Sequence, residues 1–306
     1  MNKVKNNIFN SLKDLAKSIL GPNIFFSCKK LIIHFFGTKL SKLSVTNNNN
    51  SQFAYYPMIS IICPVFNPDK NHLITMIDSI IEQHYENWEL CLYNASYDEN
   101  LINILNKYKK NNKHIKVKRG GNLGISANSN EALKMANGEY IALMDHDDIL
   151  LPHALREVVH KINETNAEFI YSDEALFFND KYERVKCHYK SNFNIELLRR
   201  TNYICHFSVI KTSLLNKING FNNKLDGSQD HDLFLRCAEN TTNISHINKV
   251  LYLWRIHNKS FSKQNLNKCV TSGIIAVQEH LKRCKIEATV TPIKNKSQYK
   301  VVYKND

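Results

Sequence analysis

None of the eight cysteines forms a CxxC pair, no run of arginines occurs, and no apolar stretch reaches the ~20 residues that a bilayer span requires. The first absence excludes a zinc knuckle and a secreted disulfide framework, so the scattered thiols read as reduced and mostly core. The second bears on the net charge of +13, from 41 Lys+Arg against 28 Asp+Glu, which lies in dispersed lysines. Without zinc-finger spacing, a basic zipper or an RNP-like aromatic motif, nucleic acid is not an expected partner. The basic balance instead suits an anionic membrane face or a phosphorylated substrate. With 306 residues, 43% of them hydrophobic, the chain is long enough to bury a sizeable core.

What is present divides the chain in three. Residues 1–50 carry eight lysines, from Lys3 to Lys42, against the single acid Asp14, interleaved with Ile8, Leu12, Leu15, Ile19 and later Phe25, Phe26, Phe35 and Phe36. Gly21-Pro22 and Lys29-Lys30 interrupt the apolar stretches, and Asn47 to Asn50 mark a linker. A basic amphipathic segment of this kind can lie on an anionic membrane, or pack as a helical extension on the domain or a partner. Residues 57–262 form the expected catalytic domain, and residues 263–306 a C-terminal helix with short strands packed on it.

From Met58 the pattern alternates. Residues 58–63 read as a buried strand ended by Pro64, 70–84 have helical spacing, and 88–93 form a second strand. Residues 99–110 follow as a helix, 115–117 as a third strand, 126–137 as a helix closed by Gly138, and 139–144 as a fourth strand. Such repetition predicts an α/β fold with a mainly parallel central sheet flanked by helices. Ligands of such sheets bind beyond the carboxyl ends of the strands.

The fourth strand ends in Asp145-His146-Asp147-Asp148. In extended backbone Asp145 and Asp147 project to one side while His146 and Asp148 turn away. Two carboxylates about 4 Å apart repel by ~4 kcal/mol at an effective dielectric of 20, so a cation is expected between them. Hard oxygen ligands at this spacing suit Mg2+ or Mn2+. Capping of a helix starting near Leu151-Pro152 would explain one of these acids but not three. A second acidic group, Asp226, Asp230 and Asp232, brackets a helix start, and a carboxylate at such a loop boundary can serve as general base. A strand-like segment, residues 250–260, then delivers Arg255, His257 and Lys259 in alternation, cations suited to a diphosphate with an imidazole able to complete a Mn2+ shell.

The stretches ISIICPVFN (59–67), GNLGISANSNEALKMANGEYIALMDHDDILLPHAL (121–155), YSDEALF (171–177), NYICHFSVIK (203–211), GSQDHDLFLRCAE (227–239) and HINKVLYLWRIHNKS (246–260) resemble, in order, the motifs of inverting family 2 glycosyltransferases. The most similar subgroup builds O-antigen and other surface polysaccharides. The resemblance implies a GT-A (Rossmann-like) fold, a nucleotide-diphosphate sugar donor, bound Mn2+ or Mg2+, and single-displacement transfer with inversion. It implies that Asp145 and Asp147 are the DxD pair holding ribose, diphosphate and metal, that Asp230 is the catalytic base, and that His257 approaches the metal. Pro64, Val65 and Asn67 match the first-strand loop around the nucleotide base, and Asn94 stands at the second-strand position expected to contact it. Asp173 and Glu174 match an acidic pair at the sugar or acceptor side, and Trp254 and Arg255 belong to the last motif.

The sequence departs from the family at Tyr93-Asn94-Ala95-Ser96, where members carry Asp-Asp-Gly/Ala-Ser, at Ser129, where many have Arg, and at Leu253, where a histidine is common. The processive Gln-x-x-Arg-Trp signature is absent, which implies addition of a single sugar. The expected enzyme is a hexosyltransferase, favouring a UDP-sugar, that acts on a glycan or lipid-linked saccharide acceptor at the cytoplasmic face of a membrane. A sugar nucleotidyltransferase would carry a glycine-rich loop after the first strand, where Pro64-Val65-Phe66-Asn67-Pro68 has none; a non-catalytic scaffold of a polysaccharide assembly complex is the other alternative.

The N-terminal alternatives separate in one experiment. A membrane-surface segment predicts that deleting residues 1–46 releases the protein from anionic vesicles and that salt releases the full chain. A packing element predicts unchanged vesicle binding and an aggregating truncated domain.

Overall fold

The computed structural model describes residues 52–178, 184–257, 264–294 and 296–304, so the N-terminal extension and Lys259 lie outside the described residues. The first half winds as expected from the alternation. Strand β1 (Ile59–Val65) leads to α1 (Lys70–Ile81), β2 (Trp88–Asn94) to α2 (Glu99–Asn111), and β3 (Ile115–Arg119) to α3 (Ile125–Leu133) and β4 (Tyr140–Leu143). Asp69 and Asp98 start α1 and α2 by accepting backbone N–H bonds from the residues two and three positions on. These four strands pair in parallel in the order β3-β2-β1-β4.

Past β4 the sheet becomes mixed. After β5 (Ile149–Leu150) and α4 (Ala154–Thr165) come the long β6 (Phe169–Phe178), β7 (Arg184–His188), α5 (Ile195–Arg200), β8 (Ser208–Lys211) and α6 (Thr212–Lys217). Helix α7 (Gln229–Asn240), β9 (Ile244–Ile256), α8 (Leu266–Arg283) and a hairpin of β10 (Ala288–Pro292) and β11 (Tyr299–Tyr303) complete the described chain. Strand β8 inserts antiparallel between β4 and β6, β9 runs parallel to β6, and β5 and β7 add antiparallel edges. The result among the described residues is a nine-stranded mixed sheet and a separate two-stranded hairpin. No helix among the described residues is long and apolar enough to cross a membrane.

Alternation along the strands feeds two cores. Ile59, Ile61, Cys63 and Val65 join Leu73, Met76, Ile77 and Ile80 of α1 on one face, with Leu155 and Val158 of α4. Ile62, Cys91, Tyr93 and Ile141 join Leu233 and Phe234 of α7 and Ala276 and Val277 of α8 on the other. Both faces are therefore covered, which is why these strands read as continuous apolar runs.

Two expectations are corrected. Pro64 does not end β1, which runs to Val65. The Ile62 carbonyl accepts from Met144 N and the Val65 carbonyl from Ala95 N, so Pro64 turns its nitrogen toward β4, whose pairing with β1 stops at Ile62. No donor is needed there, and proline is tolerated. Gly138 does not close α3, which stops at Leu133. It lies instead against β1, where its N–H donates to Ser60 Oγ at 2.7 Å and a Cβ would stand 2.7 Å from both Met58 O and Ser60 N.

The Ser60 hydroxyl in turn donates to Glu89 Oε1 at 2.7 Å; that oxygen also accepts from Asn137 N at 2.6 Å, while Lys116 Nζ stands 2.6 Å from Oε2. Burial works to raise the Glu89 pKa, but Lys116, Ser60 and Asn137 outweigh it and hold the carboxyl below its ordinary value. Its stabilisation is therefore complete above the unfolded value of about 4.3 and lost as pH falls through the lower folded value. Glu89→Gln should cost about 1–3 kcal/mol at pH 7, and the gap from the native protein should narrow as urea titrations are repeated at progressively acid pH.

Candidate active site

Residues 145–148 form a turn, with Asp148 N donating to Asp145 O at 3.5 Å, and not the extended run that simple alternation predicts. Asp148 is fully buried and accepts from Tyr252 Oη and from Arg255 N, both at 2.7 Å. Its neighbours face the other way. The Asp145 side chain is 49% exposed, and Asp147 Oδ2 lies 2.7 Å from His257 Nε2. Helix α4 begins at Ala154, with His153 at its N-cap and no side-chain cap, so none of the three acids caps it.

The turn's electrostatics are uneven. Burial, then Asp147 and Asp145, push the Asp148 carboxyl well above its ordinary value. Asp145, on the floor of a cleft, is also raised by burial, partly offset by His206 and reinforced by Asp147 and Asp230. Asp147 is held low: burial works against this, but His146 and His257 outweigh it.

The cleft has a volume of about 1810 Å³ and is lined by Pro64 and Asn67 after β1, Gly124 and Asn128 at the start of α3, the Asp145–Asp147 turn, Glu174, Trp254, His257 and Asp230. Open carboxylate oxygens beside imidazoles, with two acids in one short turn, form a donor set that fits Mg2+ or Mn2+. Asp145, Asp147 and His257 all line the cleft, but the donor atoms that converge within 4.8 Å of one another at this turn are those of Asp145, Asp148 and His206.

The second acidic group separates into three environments. Asp226, from the loop before α7, packs against the start of α3: its Oδ1 accepts from Ser126 N at 3.0 Å and from Ser126 Oγ at 2.6 Å. Gly124 makes room for it, at φ +94°, where a Cβ would stand 2.5 Å from Asp226 Oδ2. Asp232 is fully buried and paired with Arg236, whose Nε and second guanidinium nitrogen donate to Oδ2 at 2.8 and 2.6 Å. Asp230, which lines the cleft as Asp226 does, is oriented there by Asn202, whose Nδ2 donates to its Oδ2 at 2.9 Å. The N-cap of α7 is Ser228, not Asp230. Ser228 Oγ donates to Cys269 O and Ser272 Oγ to Asp226 O, tying this loop to α8.

Four residues expected at the site stand behind the cleft. Val65 is wholly buried on the α1 side of β1. Asn94 accepts from Ser96 N at 3.0 Å, closing its own turn. Asp173 Oδ1 lies 2.8 Å from His246 Nε2 and accepts from Lys190 N. Arg255 donates from Nε to Asp147 O at 2.7 Å and lies over the Phe177 ring, so it braces the turn from beneath.

Glu174, expected at the sugar or acceptor side, organises the floor through partners that sequence patterns missed. Glu174 is fully buried, with Oε1 2.9 Å from His188 Nδ1 and Oε2 accepting from His206 N at 3.1 Å and facing Lys190 Nζ at 3.3 Å. Burial would raise the Glu174 pKa, but His188, Lys190 and His206 hold it low. The Lys190 ammonium, fully enclosed, also donates to the carbonyls of Ile204 and His206. No local pattern marks Lys190; its partners are 14 and 16 residues away.

Removing the Asp226 carboxylate tests its weight. Asp226→Ala should lose about 0.5–2 kcal/mol of stability in urea, whereas Asp226→Asn, which keeps an acceptor for Ser126, should lose much less.

Comparison with known proteins places this geometry in a family. The model of the family described as glycosyl transferase family 2 matches residues 60–218. An uncharacterized protein, y4gI, of Sinorhizobium fredii is 39% identical over 234 residues, and the O-antigen biosynthesis protein RfbC of Myxococcus xanthus is 30% identical over 253. These alignments cover 74% and 80% of this chain but only 26% and 20% of those relatives. Among solved structures, S. aureus TarS 1-349 in complex with UDP-GlcNAc superposes with a TM-score of 0.61 at 17% identity, covering 75% of this chain and 68% of that one. Mannosyltransferase PcManGT from Pyrobaculum calidifontis, in complex with GDP-Man and Mn2+, gives 0.56 at 14% identity, covering 83% and 71%. The shared fold is GT-A. With more than half of its length matched by the family model, the chain belongs to the family 2 glycosyltransferases.

Proposed function

We propose that the protein transfers a single sugar from a nucleotide-diphosphate donor to a hydroxyl of a glycan or lipid-linked saccharide, with inversion at the anomeric carbon, in surface polysaccharide biosynthesis. The observation that carries this reading is the division of labour among the acids. Of the six aspartates in the two clusters, Asp148 and Asp232 are fully buried and paired behind the cleft, whereas Asp145, Asp147, Asp226 and Asp230 line it, and of these four Asp226 gives its Oδ1 to the start of α3.

In this reading Asp145, Asp147 and His257 hold Mn2+ or Mg2+ against the donor diphosphate, and Pro64 and Asn67 border the nucleoside. Val65, Asn94, Asp173 and Arg255 act from behind, fixing the backbone that bears these groups, while Glu174 and Trp254 bound the sugar side. A bound divalent cation supplies Lewis-acid stabilisation of the charge that grows on the leaving diphosphate. Asp230 accepts the proton of the acceptor hydroxyl as its oxygen attacks the anomeric carbon. The sugar–diphosphate bond breaks on the opposite face, and its electron pair leaves with the diphosphate. Asn202 holds one oxygen of Asp230 and so orients the carboxylate for that transfer.

A UDP-sugar is the favoured donor, supported by the UDP-GlcNAc complex of TarS; RfbC's role in O-antigen biosynthesis supports the acceptor class. The net charge of +13 supports work at the anionic cytoplasmic face of a membrane, peripherally attached.

The test is Asp230→Asn, assayed with a panel of UDP-, GDP- and dTDP-sugars with and without Mn2+. Native protein should consume one donor in a metal-dependent manner. The variant should keep near-normal donor affinity and stability yet lose about 10²–10⁴-fold in turnover to acceptor. Near-native transfer by the variant would remove Asp230 as base.

A further inference from the structure

Besides His257, the imidazole of His206 also reaches this turn. His206 Nε2 stands 3.8 Å from Asp145 Oδ2, and the ligand atoms of Asp145, Asp148 and His206 all lie within 4.8 Å of one another. Asp148 has its two oxygens engaged by Tyr252 and the Arg255 backbone. That leaves Asp145 and His206 as the pair with coordination to offer. Their separation is too long for a hydrogen bond. It suits two ligand atoms sharing one ion, since each would stand about 2.0–2.2 Å from Mg2+, Mn2+ or a similar cation.

The ring is held in place by contacts that do not involve Asp145. It stacks on Tyr252, centroids 4.7 Å apart at 14°, and meets Trp254 edge-on at 5.4 Å and 72°. Its backbone N–H is fixed by Glu174 Oε2 and its carbonyl by the enclosed Lys190 ammonium. The side chain is 16% exposed, and it lines the cleft. A rigidly seated imidazole edge, opening on a carboxylate across a gap, is a preorganised ligand position. The Glu174–Lys190 network thereby acquires a purpose: it sets the loop that presents His206.

We propose that His206 is a nitrogen ligand of the divalent cation, sharing the ion with Asp145. This inference rests on the metal reading of the proposed function. Its test does not depend on catalysis.

Mn2+ is added to the full-length protein, alone and with UDP, and pulsed electron paramagnetic resonance reads the coupling of the ion to histidine nitrogen. Binding is titrated in parallel. His206→Phe keeps a ring between Tyr252 and Trp254 but removes the nitrogens, and thermal melting checks that it folds; His206→Leu serves if it does not. The expected result is a nitrogen coupling in the native protein that is lost or halved in the His206 variant, with Mn2+ affinity weakened at least about tenfold. Coupling and affinity unchanged in the His206 variants, but lost in His257→Ala, would overturn the inference and leave the metal reading standing. Absence of any bound Mn2+ in the native protein would overturn both.

Discussion

A carboxyl group that never meets solvent holds the cleft floor in shape. Asp148 follows the end of β4 and is buried against β9, where a tyrosine hydroxyl and a backbone N–H occupy its two oxygens. Burying a carboxyl without partners would cost several kcal/mol, so the turn can close only in the register that supplies both donors. Closing it there points Asp145 into the cleft and sets Asp147 against His257. The upward push on the Asp148 pKa disfavours a third negative charge in the same turn. One acid of the three is architecture, and the other two owe their positions to it.

The rest of the cleft follows similar logic on a larger scale. Polar residues far apart in sequence satisfy one another behind the surface, and the groups left facing inward are those with chemistry to offer. Lys190 and Glu174 tie β6 to the loop before β8; Asp226 joins the α7 loop to the start of α3. Because each of these joints is hydrogen-bonded, the Asp230 carboxylate and the Asp145–Asp147 turn belong to one connected framework, which limits reorganisation during a reaction.

Much of this was legible in the sequence where burial has a local period. The strands of the parallel half and helices α1 and α2 are apolar runs or 3.6-residue stripes bounded by Asp69 and Asp98 caps, and they occur within a few residues of the expected limits. The ordered motifs brought Asp145, Asp147, Asp230 and His257 to one cleft. Periodicity carries no information on which strand a strand will neighbour, so the antiparallel insertion of β8 between β4 and β6 could not be read from it. Alternation also failed at residues 145–148, because a turn replaced the extended backbone on which the rule depends. Gly138 looked like a helix end and proved to be a place where two backbones nearly touch. His206 and Lys190 left no trace because their partners are set by loop closure and not by spacing.

The hairpin of β10 and β11 is keyed to α7 by Tyr299, whose ring stacks on His231 at 5.9 Å and 14°. Ser297 and Tyr299 from the hairpin, with Lys268 and Cys269 from α8, line the cleft near Asp230. All four lie outside residues 60–218, which the family model matches, and beyond the last motif at 246–260. One wall of the cavity is thus built from the C-terminal stretch, which Tyr303 also anchors through Glu196 and Arg199 of α5. Exchange of side chains along that stretch can recontour this wall while the parallel strands that carry Pro64 and the Asp145 turn keep their form.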